Sequence, residues 1–430
     1  MIKKIQQDFS YYSHEFKDNY RKGVHRLRTI LASRAQAQAF VSNAGGVAVV
    51  LGYEPETPDK NAQELYALLA ASPYIENAVQ TFLGSIYEAG AESQDAMYAD
   101  SARCLEILHD PVMARAAGAG TVSAGKWIAT LAGQSCAAYT DIAAVAASET
   151  AMTAVAASET AMAAVVSNAT ALNVVATSQA AMNAVAASET AMTAVIANTA
   201  AFNTVVTSHV AMNAVASSYV AVAAVYESAV AVETVKANET AWATLTGASS
   251  AVMGKAAAKL AGLNPADYAD MTAIASSSAA MSAVAASQTA MAAIASSQTA
   301  MAAIIGNSTA LNAVVSSSTA MAAIAASSTA RTAITNSATA KNALASSPLK
   351  KTVTKGNGNG WENRTIRNGM GYLISCYNAN SGGEAGSTWY KLDGAQTSQP
   401  AGTTNVGKFF TSSLAIYWWS STSSVTYLPC

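Results

Sequence analysis

The sequence predicts a mainly α-helical protein. Ala-rich decapeptide repeats are expected to form an elongated helical solenoid or fibre, followed by a small C-terminal antiparallel β domain. Three observations lead to this prediction. Large residues recur every ten positions, a β-branched residue follows nearly all of them three positions later, and Ser or Asn stands six positions after nearly every large residue. A fixed period sustained over many units is typical of repeat proteins, in which each unit buries its apolar face against its neighbours.

The repeats form two arrays. The first spans residues 141–250, an interruption occupies 251–270, and the second array spans 271–350. Alanine dominates both arrays and the two-residue alternation of a strand is absent, so both are predicted to be helical. The large residues are Ile142, Met152, Met162, Leu172, Met182, Met192, Phe202, Met212, Val222, Val232 and Trp242, then Met271, Met281, Met291, Met301, Leu311, Met321, Arg331 and Lys341.

The recurring Ser or Asn predicts where each helix begins. A solvated helix position accepts Lys, Glu or Gln, whereas an N-cap requires a short side-chain oxygen that reaches the free N–H groups of the next turn. We therefore predict two-turn helices, stacked with Met and Val or Ile inside, and we expect Asp to be tolerated at Ser188. One continuous, tightly wound oligomeric helix remains the alternative, since the repeats lack a Gly to end each helix.

Residues 1–140 are predicted to form a helical domain that anchors or caps the arrays. Residues 1–36 have the pattern of a charged amphipathic helix, whose face we expect to pack within its own domain or on a sister chain rather than on a foreign partner. Gly45-Gly46 and Glu54–Asp59 are predicted to be turns. The large residues of the amphipathic face are Ile5, Phe9, Tyr12, Phe16 and Tyr20.

The last segment differs in composition, because Gly, Ser, Asn, Thr and aromatic residues replace alanine. Residues 351–360, which contain the run KGNGNG, are predicted to be a flexible joint. Residues 361–430 are predicted to form the β domain. Its strand-like runs are Gly371–Tyr377, Ser387–Gly394 and Leu414–Ser421.

Aromatic residues of the β domain are the candidate binding residues. In the run 414–421, alternate side chains face opposite ways, so Leu414, Ile416 and Trp418 suit a core. Tyr417 and Trp419 then share the other face, where flat aromatic surfaces bind sugar rings or proteins. Burial in an oligomer interface is the alternative. Trp389 and Tyr390 are further candidate receptor contacts.

Composition and motifs argue against several functions. Charged residues make up 12% of the chain and the net charge is −2, so nucleic acid is not an expected partner. No histidine has metal-ligand or catalytic spacing, and no phosphate- or dinucleotide-binding motif occurs. We therefore predict that the protein is not an enzyme and that it has no catalytic residue, no metal and no cofactor. The uncharged stretch 271–330 is too rich in Ser and Thr for membrane insertion. Cys376 and Cys430 are either paired or free.

The repeat resembles a known family. SSTAMAAIAASSTA, at Ser317–Ala330, is similar to the Ala/Ser/Thr-rich decapeptide repeats of tail-fibre and receptor-binding proteins of tailed bacteriophages. The resemblance covers both arrays and neither end of the chain. It implies a virion appendage, assembled in the host cytoplasm and often homotrimeric. Its N-terminal region would attach to other tail proteins, and its C-terminal tip would bind a host cell-surface glycan or protein.

Three alternatives to a tail fibre remain open at this point. A bacterial cell-surface adhesin would need an export or anchoring signal, and none is recognised in the sequence. An ice-binding protein would need a regular Thr array, which Ala and Val interrupt. A glycosidase would need a carboxylate pair. The carboxylates of the β domain are Glu362, Glu384 and Asp393.

Overall fold

The computed structural model of the chain describes residues 2–17, 20–53, 60–87, 93–380 and 387–430. It is mainly helical and ends in an antiparallel β region of two sheets, as predicted. The chain divides into two compact units, Met1–Val215 and Ala216–Cys430. Within the described residues no single helix is long and apolar enough to cross a membrane, although five pairs of consecutive helices, each bent at its break, reach that length and apolarity together.

In the described part of residues 1–140, ten α-helices precede the first array. The single helix predicted over residues 1–36 is divided, because α1 ends at Lys17 and Ser33 caps a new helix. The ten helices are α1 Ile2–Lys17, α2 Tyr20–Ala32, α3 Arg34–Val41, α4 Ala44–Leu51, α5 Lys60–Ala70, α6 Ile75–Ile86, α7 Gln94–Ala99, α8 Ser101–His109, α9 Pro111–Ala117 and α10 Thr121–Leu131.

The C-terminal part of the apolar face of α1 packs inside its own domain. Phe16 is fully buried, and its ring lies 5.8 Å from the ring of Phe40 and 5.4 Å from that of Tyr12. Gly45-Gly46 was wrongly predicted to be a turn, since both glycines lie inside α4. A Cβ on Gly46 would come within 2.9 Å of the Phe40 ring, so glycine serves close packing there. The predicted turn at Glu54–Asp59 lies outside the described residues.

The arrays consist of short helices, as predicted. The first array is α11 Ile142–Ala147, α12 Glu149–Ala157, α13 Glu159–Ser167, α14 Ala169–Thr177, α15 Gln179–Ala187, α16 Glu189–Ala197, α17 Thr199–Thr207, α18 His209–Ser217, α19 Tyr219–Glu227, α20 Ala229–Lys236 and α21 Glu239–Thr246. After α22 Ser250–Leu260, the second is α23 Met271–Ser276, α24 Ser278–Ala286, α25 Gln288–Ser296, α26 Gln298–Ile305, α27 Ser308–Val315, α28 Ser318–Ala326, α29 Ser328–Thr335 and α30 Ala338–Ala345.

The recurring Ser or Asn is the N-cap of the array helices after the first one of each array, which confirms the prediction. Ser188, for example, has extended backbone angles, and its Oγ accepts a hydrogen bond from the N–H of Ala191 at 3.2 Å. The chain bends by 99° between α12 and α13 and by 100° between α15 and α16. The alternative of one continuous helix is therefore wrong.

Helices three apart along the chain lie against each other. Helix α12 packs on α15, α13 on α16, α24 on α27 and α25 on α28. At several caps the side chain joins these neighbours, because a Ser hydroxyl or an Asn amide nitrogen also donates to a carbonyl near the C-terminus of the helix three before it. Ser178 Oγ donates to Ala146 O at 2.7 Å, and Ser208 Oγ donates to Ala176 O at 2.6 Å. This bond replaces the missing glycine, since it satisfies a helix-end carbonyl without a left-handed residue.

The Met and Val or Ile stripe forms the buried seam that the sequence predicts. Met152, Val155, Met291 and Ile294 are each 0% exposed. In the last three helices, α28 to α30, two of the large positions hold Arg331 and Lys341, which are half-buried. Charged side chains thus replace methionine in the last helices before the β domain.

The described residues of the β domain form eight antiparallel strands in two sheets. The sheet orders are β1-β8-β3-β6 and β2-β7-β4-β5, which is the strand order of a jelly roll, and side chains from both sheets share one core. The strands are β1 Lys351–Thr354, β2 Glu362–Asn368, β3 Gly371–Asn378, β4 Trp389–Leu392, β5 Ala395–Ser398, β6 Gly402–Phe410, β7 Ser413–Trp418 and β8 Ser424–Pro429.

The domain begins earlier than predicted, at residue 351 instead of 361. Lys351 to Thr354, assigned from the sequence to the flexible joint, pair with β8 as an edge strand. Lys355 continues this attachment, because its N–H donates to Ser423 O at 3.0 Å and its side chain is buried. The Gly- and Asn-rich run at residues 355–360 led to the assignment of the preceding strand residues to the same joint. Cys376 and Cys430 are free thiols in the structure.

A carboxylate holds two turns of the domain together. Asp393 has φ of 52° and Gly394 of 85°, the left-handed pair of a tight hairpin between β4 and β5. Its carboxylate accepts hydrogen bonds from the N–H groups of Thr411, Ser412 and Ser413 at 2.8, 2.6 and 3.0 Å. Partial burial alone would raise the pKa of Asp393, but these backbone bonds outweigh it and hold the pKa well below its usual range.

Replacing Asp393 with Asn is expected to lower the Tm of the β domain at pH 7 by roughly 4–8 °C, since one neutral acceptor replaces two charged ones. Because the folded-state pKa lies below the unfolded value of about 3.9, the carboxylate stabilises the fold above about pH 4 and this contribution is lost as the pH falls. Thermal melts followed by tryptophan fluorescence should show the two proteins converging below about pH 4. A Tm difference that stays constant would contradict this role.

Candidate functional site

Strand alternation in β7 creates the candidate site. Leu414, Ile416 and Trp418 are 0% exposed and belong to the core, as predicted. Tyr417 faces the other way, on the outer face of the sheet β2-β7-β4-β5. Strands β2 and β4 flank β7, so side chains on these strands stand beside Tyr417.

Three aromatic rings form a ladder across these strands. We call Trp361, Tyr417 and Trp389 the aromatic ladder. The Trp361 and Tyr417 ring centroids are 4.8 Å apart with planes 7° apart, and those of Trp389 and Tyr417 are 5.1 Å apart at 16°. Both faces of the Tyr417 ring are therefore covered by tryptophan. Such stacked pairs each contribute about 0.5–1.5 kcal/mol beyond area burial, so the ladder is held rigidly.

Two further side chains border the ladder. Trp419 meets Trp361 edge-on, with ring centroids 5.4 Å apart at 61°. The Lys391 ammonium lies 4.6 Å from the centroid of Trp389. Tyr390 does not join them, because it is 4% exposed and packs in the core. Adjacent residues on a strand face opposite ways, so the sequence prediction that paired Tyr390 with Trp389 as surface contacts is corrected.

Polar, uncharged residues surround the aromatic rings. By register, Asn363 lies beside Tyr417, Ser398 beside Trp389 and Gln396 beside Lys391. Each of the three is exposed. The face therefore combines aromatic edges, amides and hydroxyls with one ammonium group. This combination suits a hydroxyl-rich ligand, because Trp N–H and Tyr O–H groups donate hydrogen bonds from ring edges while amides both donate and accept.

The ring arrangement differs from the flat surface expected from the sequence. The rings stand face to face, so a ligand meets their edges rather than a broad ring face. Trp361 is the residue that sequence reasoning missed. It follows a glycine-rich run and precedes β2, and it is 37% exposed. Only the position of β2 beside β7 brings it to the ladder, and nothing in the local sequence indicates that pairing.

Two further reactive groups of the β domain, Cys376 and Asp393, are buried or engaged in hydrogen bonds. Burial raises the pKa of the Cys376 thiol to about 12, which makes it a poor nucleophile. Asp393, one of the carboxylates considered for a glycosidase pair, accepts the hydrogen bonds of the β6–β7 turn. Glu384 lies outside the described residues. Within the described ranges, no group of three or more His, Cys, Asp or Glu side chains is placed to hold a metal ion.

The chain is thus a helical repeat protein that carries a jelly-roll domain with an aromatic outer face. Comparison with models of known protein families and with curated protein sequences finds no match. Function must therefore be argued from the repeat and from the chemistry of this face, because a fold by itself hosts many functions.

Proposed function

We propose that the protein is a structural virion appendage, a bacteriophage tail fibre, whose C-terminal domain attaches to a host cell surface. The aromatic ladder is the observation that carries this proposal. Trp, Tyr, Asn, Gln and Ser converge on one exposed sheet face, whereas the arrays offer Ala, Ser and Thr repeated with little variation. Chemical variety suited to recognition is therefore concentrated in the last domain.

In this proposal the two arrays form an elongated solenoid that serves as the shaft. Support comes from the packing of helices three apart and from the cap bonds that span 32 residues, since both repeat along the array. Repeat proteins of this kind grow in one direction, because each unit contacts only its neighbours.

The N-terminal helices would attach the fibre to other tail proteins of the virion. Phe9 and Tyr11 on α1 support this assignment, being 41% and 54% exposed. Each of these side chains offers apolar area to such a contact. The fibre would assemble in the host cytoplasm as a homo-oligomer, with a trimer as the specific proposal. Several tips per particle would strengthen weak single contacts through avidity.

The proposed ligand of the tip is a host cell-surface glycan. The polar rim around the ladder supports a glycan over a protein partner, because amides and hydroxyls match sugar hydroxyls. The described outer-face positions Asn363, Ser398 and Gln396 carry no charge. A rigid, preorganised ladder also keeps the entropic cost of binding low.

Adsorption of the fluorescently labelled protein to a panel of Gram-negative and Gram-positive cells tests this proposal. Replacing Tyr417 with Ala removes the centre of the ladder, so bound fluorescence on the adsorbing strain should fall roughly tenfold or more. Tyr377→Ala is the matched control, since Tyr377 is an exposed tyrosine, 42% exposed, on a strand of the other sheet. It should adsorb like the wild type.

Equal loss in both variants, or no loss in Tyr417→Ala, would place recognition elsewhere. Circular dichroism of each variant separates lost binding from lost folding. A wild-type protein that adsorbs to none of the cells would contradict the attachment function.

A further inference from the structure

Residues 251–270, assigned from the sequence to an interruption, repeat the segment that precedes the first array. GKWIATLAG at Gly125–Gly133 recurs as GKAAAKLAG at Gly254–Gly262. Tyr139 and Asp141 recur as Tyr268 and Asp270 in the same relative positions. In both copies an array helix follows the aspartate directly.

The two segments also share their backbone conformation. Helices α10 and α22 have the same length, and each ends at a left-handed glycine, Gly133 with φ of 72° and Gly262 with φ of 73°. In both segments the N–H of the residue after this glycine donates a hydrogen bond to a carbonyl of the helix. Gln134 N donates to Ala129 O at 2.8 Å, and Leu263 N donates to Ala258 O at 2.9 Å. This is a helix-ending motif that the array helices lack.

Each segment then makes a close approach to the start of its array. A Cβ on Gly125 would lie 2.3 Å from the carbonyl carbon of Asp141, and a Cβ on Gly254 would lie 2.3 Å from that of Asp270. Both aspartates are extended N-caps, whose carboxylates accept from Ala144 N at 2.8 Å and from Ala273 N at 2.9 Å. The glycine therefore positions the first array helix directly on the preceding one.

The first cap bond of each array is also made to this segment. Ser158 Oγ donates to Leu131 O at 3.1 Å, and Ser287 Oγ donates to Leu260 O at 2.9 Å. Both bonds span 27 residues, instead of the 32 residues found within the arrays. Helix α10 thus packs on α13, and helix α22 on α25, in the position that an array helix three places earlier would occupy.

We infer that residues 250–270 are a second array-starting cap, which gives the second array an origin of its own. The two caps differ at their own N-termini. Helix α10 depends on the N-terminal domain, because Glu76 accepts from Val122 N and Ser123 N at 2.8 and 3.1 Å. Helix α22 is capped by its own Ser249, which accepts from Val252 N at 3.3 Å. Helix α22 packs on α19 of the first array, and its N-cap comes from its own segment rather than from the N-terminal domain.

Hydrogen exchange of the full-length protein, followed by mass spectrometry, tests this inference. In Gly254→Ala the new methyl group clashes with the Asp270 backbone, so exchange in α23–α30 should accelerate roughly tenfold or more while exchange in α11–α17 stays near wild type. Gly125→Ala should give the opposite pattern. Asp270→Ala and Asp141→Ala remove one cap bond each and should give the same two patterns more weakly.

Gly306→Ala is the control within the second array. Gly306 has a helical φ of −72°, and its added Cβ would meet two carbonyl oxygens of the helix it ends, at 3.2 and 3.9 Å. It should leave exchange unchanged. The inference is overturned if Gly254→Ala accelerates both arrays equally, which would make them one cooperative unit. It is also overturned if Gly254→Ala changes exchange no more than Gly306→Ala does.

Discussion

Replacing Met291 with Glu should unfold the second array. Met291 and Ile294 are both 0% exposed, and they lie in a seam only a few side chains wide. Within the seam, Met281, Val284 and Met301 are equally buried and offer no hydrogen-bonding side chain. A buried unpaired carboxylate costs about 3–5 kcal/mol or more, which is comparable to the stability of a small domain.

Urea denaturation followed by far-ultraviolet circular dichroism measures this effect. Met291→Leu is the control, because a swap of similar volume costs less than about 1.5 kcal/mol in a core. We expect helical signal from the second array to be lost in Met291→Glu and retained in Met291→Leu. A Met291→Glu protein with wild-type stability would mean that water or another chain reaches the seam.

The second large effect is expected at the helix caps. Ser188 Oγ accepts from Ala191 N and donates to Ala156 O, so Ser188→Ala removes two hydrogen bonds at once. Loss of the cap costs about 1 kcal/mol, and leaving a buried carbonyl unsatisfied adds about 1 kcal/mol or more. We therefore expect Ser188→Ala to lower the free energy of unfolding by about 2 kcal/mol in urea melts.

Asparagine and aspartate at the same position separate the two roles. Asn198 already makes both bonds, accepting from Ala201 N at 3.0 Å and donating to Val166 O at 3.1 Å. Ser188→Asn should therefore be close to neutral. Ser188→Asp keeps the cap but has no donor for Ala156 O, so it should cost about 1 kcal/mol or more. Equal stability of the Asn and Asp variants would show that the bond between stacked helices contributes nothing.

This result would also revise what the sequence alone suggested. The restriction to Ser and Asn was explained by capping, which predicts that Asp is tolerated. Within the arrays, Asp is a cap only at Asp141 and Asp270, the first cap of each array, and the bond to the helix three before it favours Ser or Asn at the later caps. A pattern of ten residues does not predict a contact between residues 32 positions apart.

Much of the arrays was predictable because their determinants are local. Helix starts follow from a cap side chain and its next three residues, and burial follows from the spacing of Met and Val. The packing partner three helices away is not local. The second cap was open to detection, since GKAAAKLAG repeats GKWIATLAG, but the decapeptide period drew attention away from it.

The C-terminal site was predictable only in part, again for a physical reason. Alternation along one strand separates Tyr417 from Trp418. It does not reveal which strands lie on either side. Trp361 and Trp389 join Tyr417 through pairing with β2 and β4, and jelly-roll pairing connects segments distant in sequence.

The stacking of helices three apart sets a rule for how the gene can change length. Each repeat is encoded by thirty base pairs, and tandem copies of that kind are prone to slippage during replication. After a gain or loss of three repeats, every later helix lies on the same side of the stack as before. A change of one or two repeats moves special residues, such as Phe202 in α17, onto a different side of the stack. Viable length variants of the first array should therefore differ in steps of ninety base pairs.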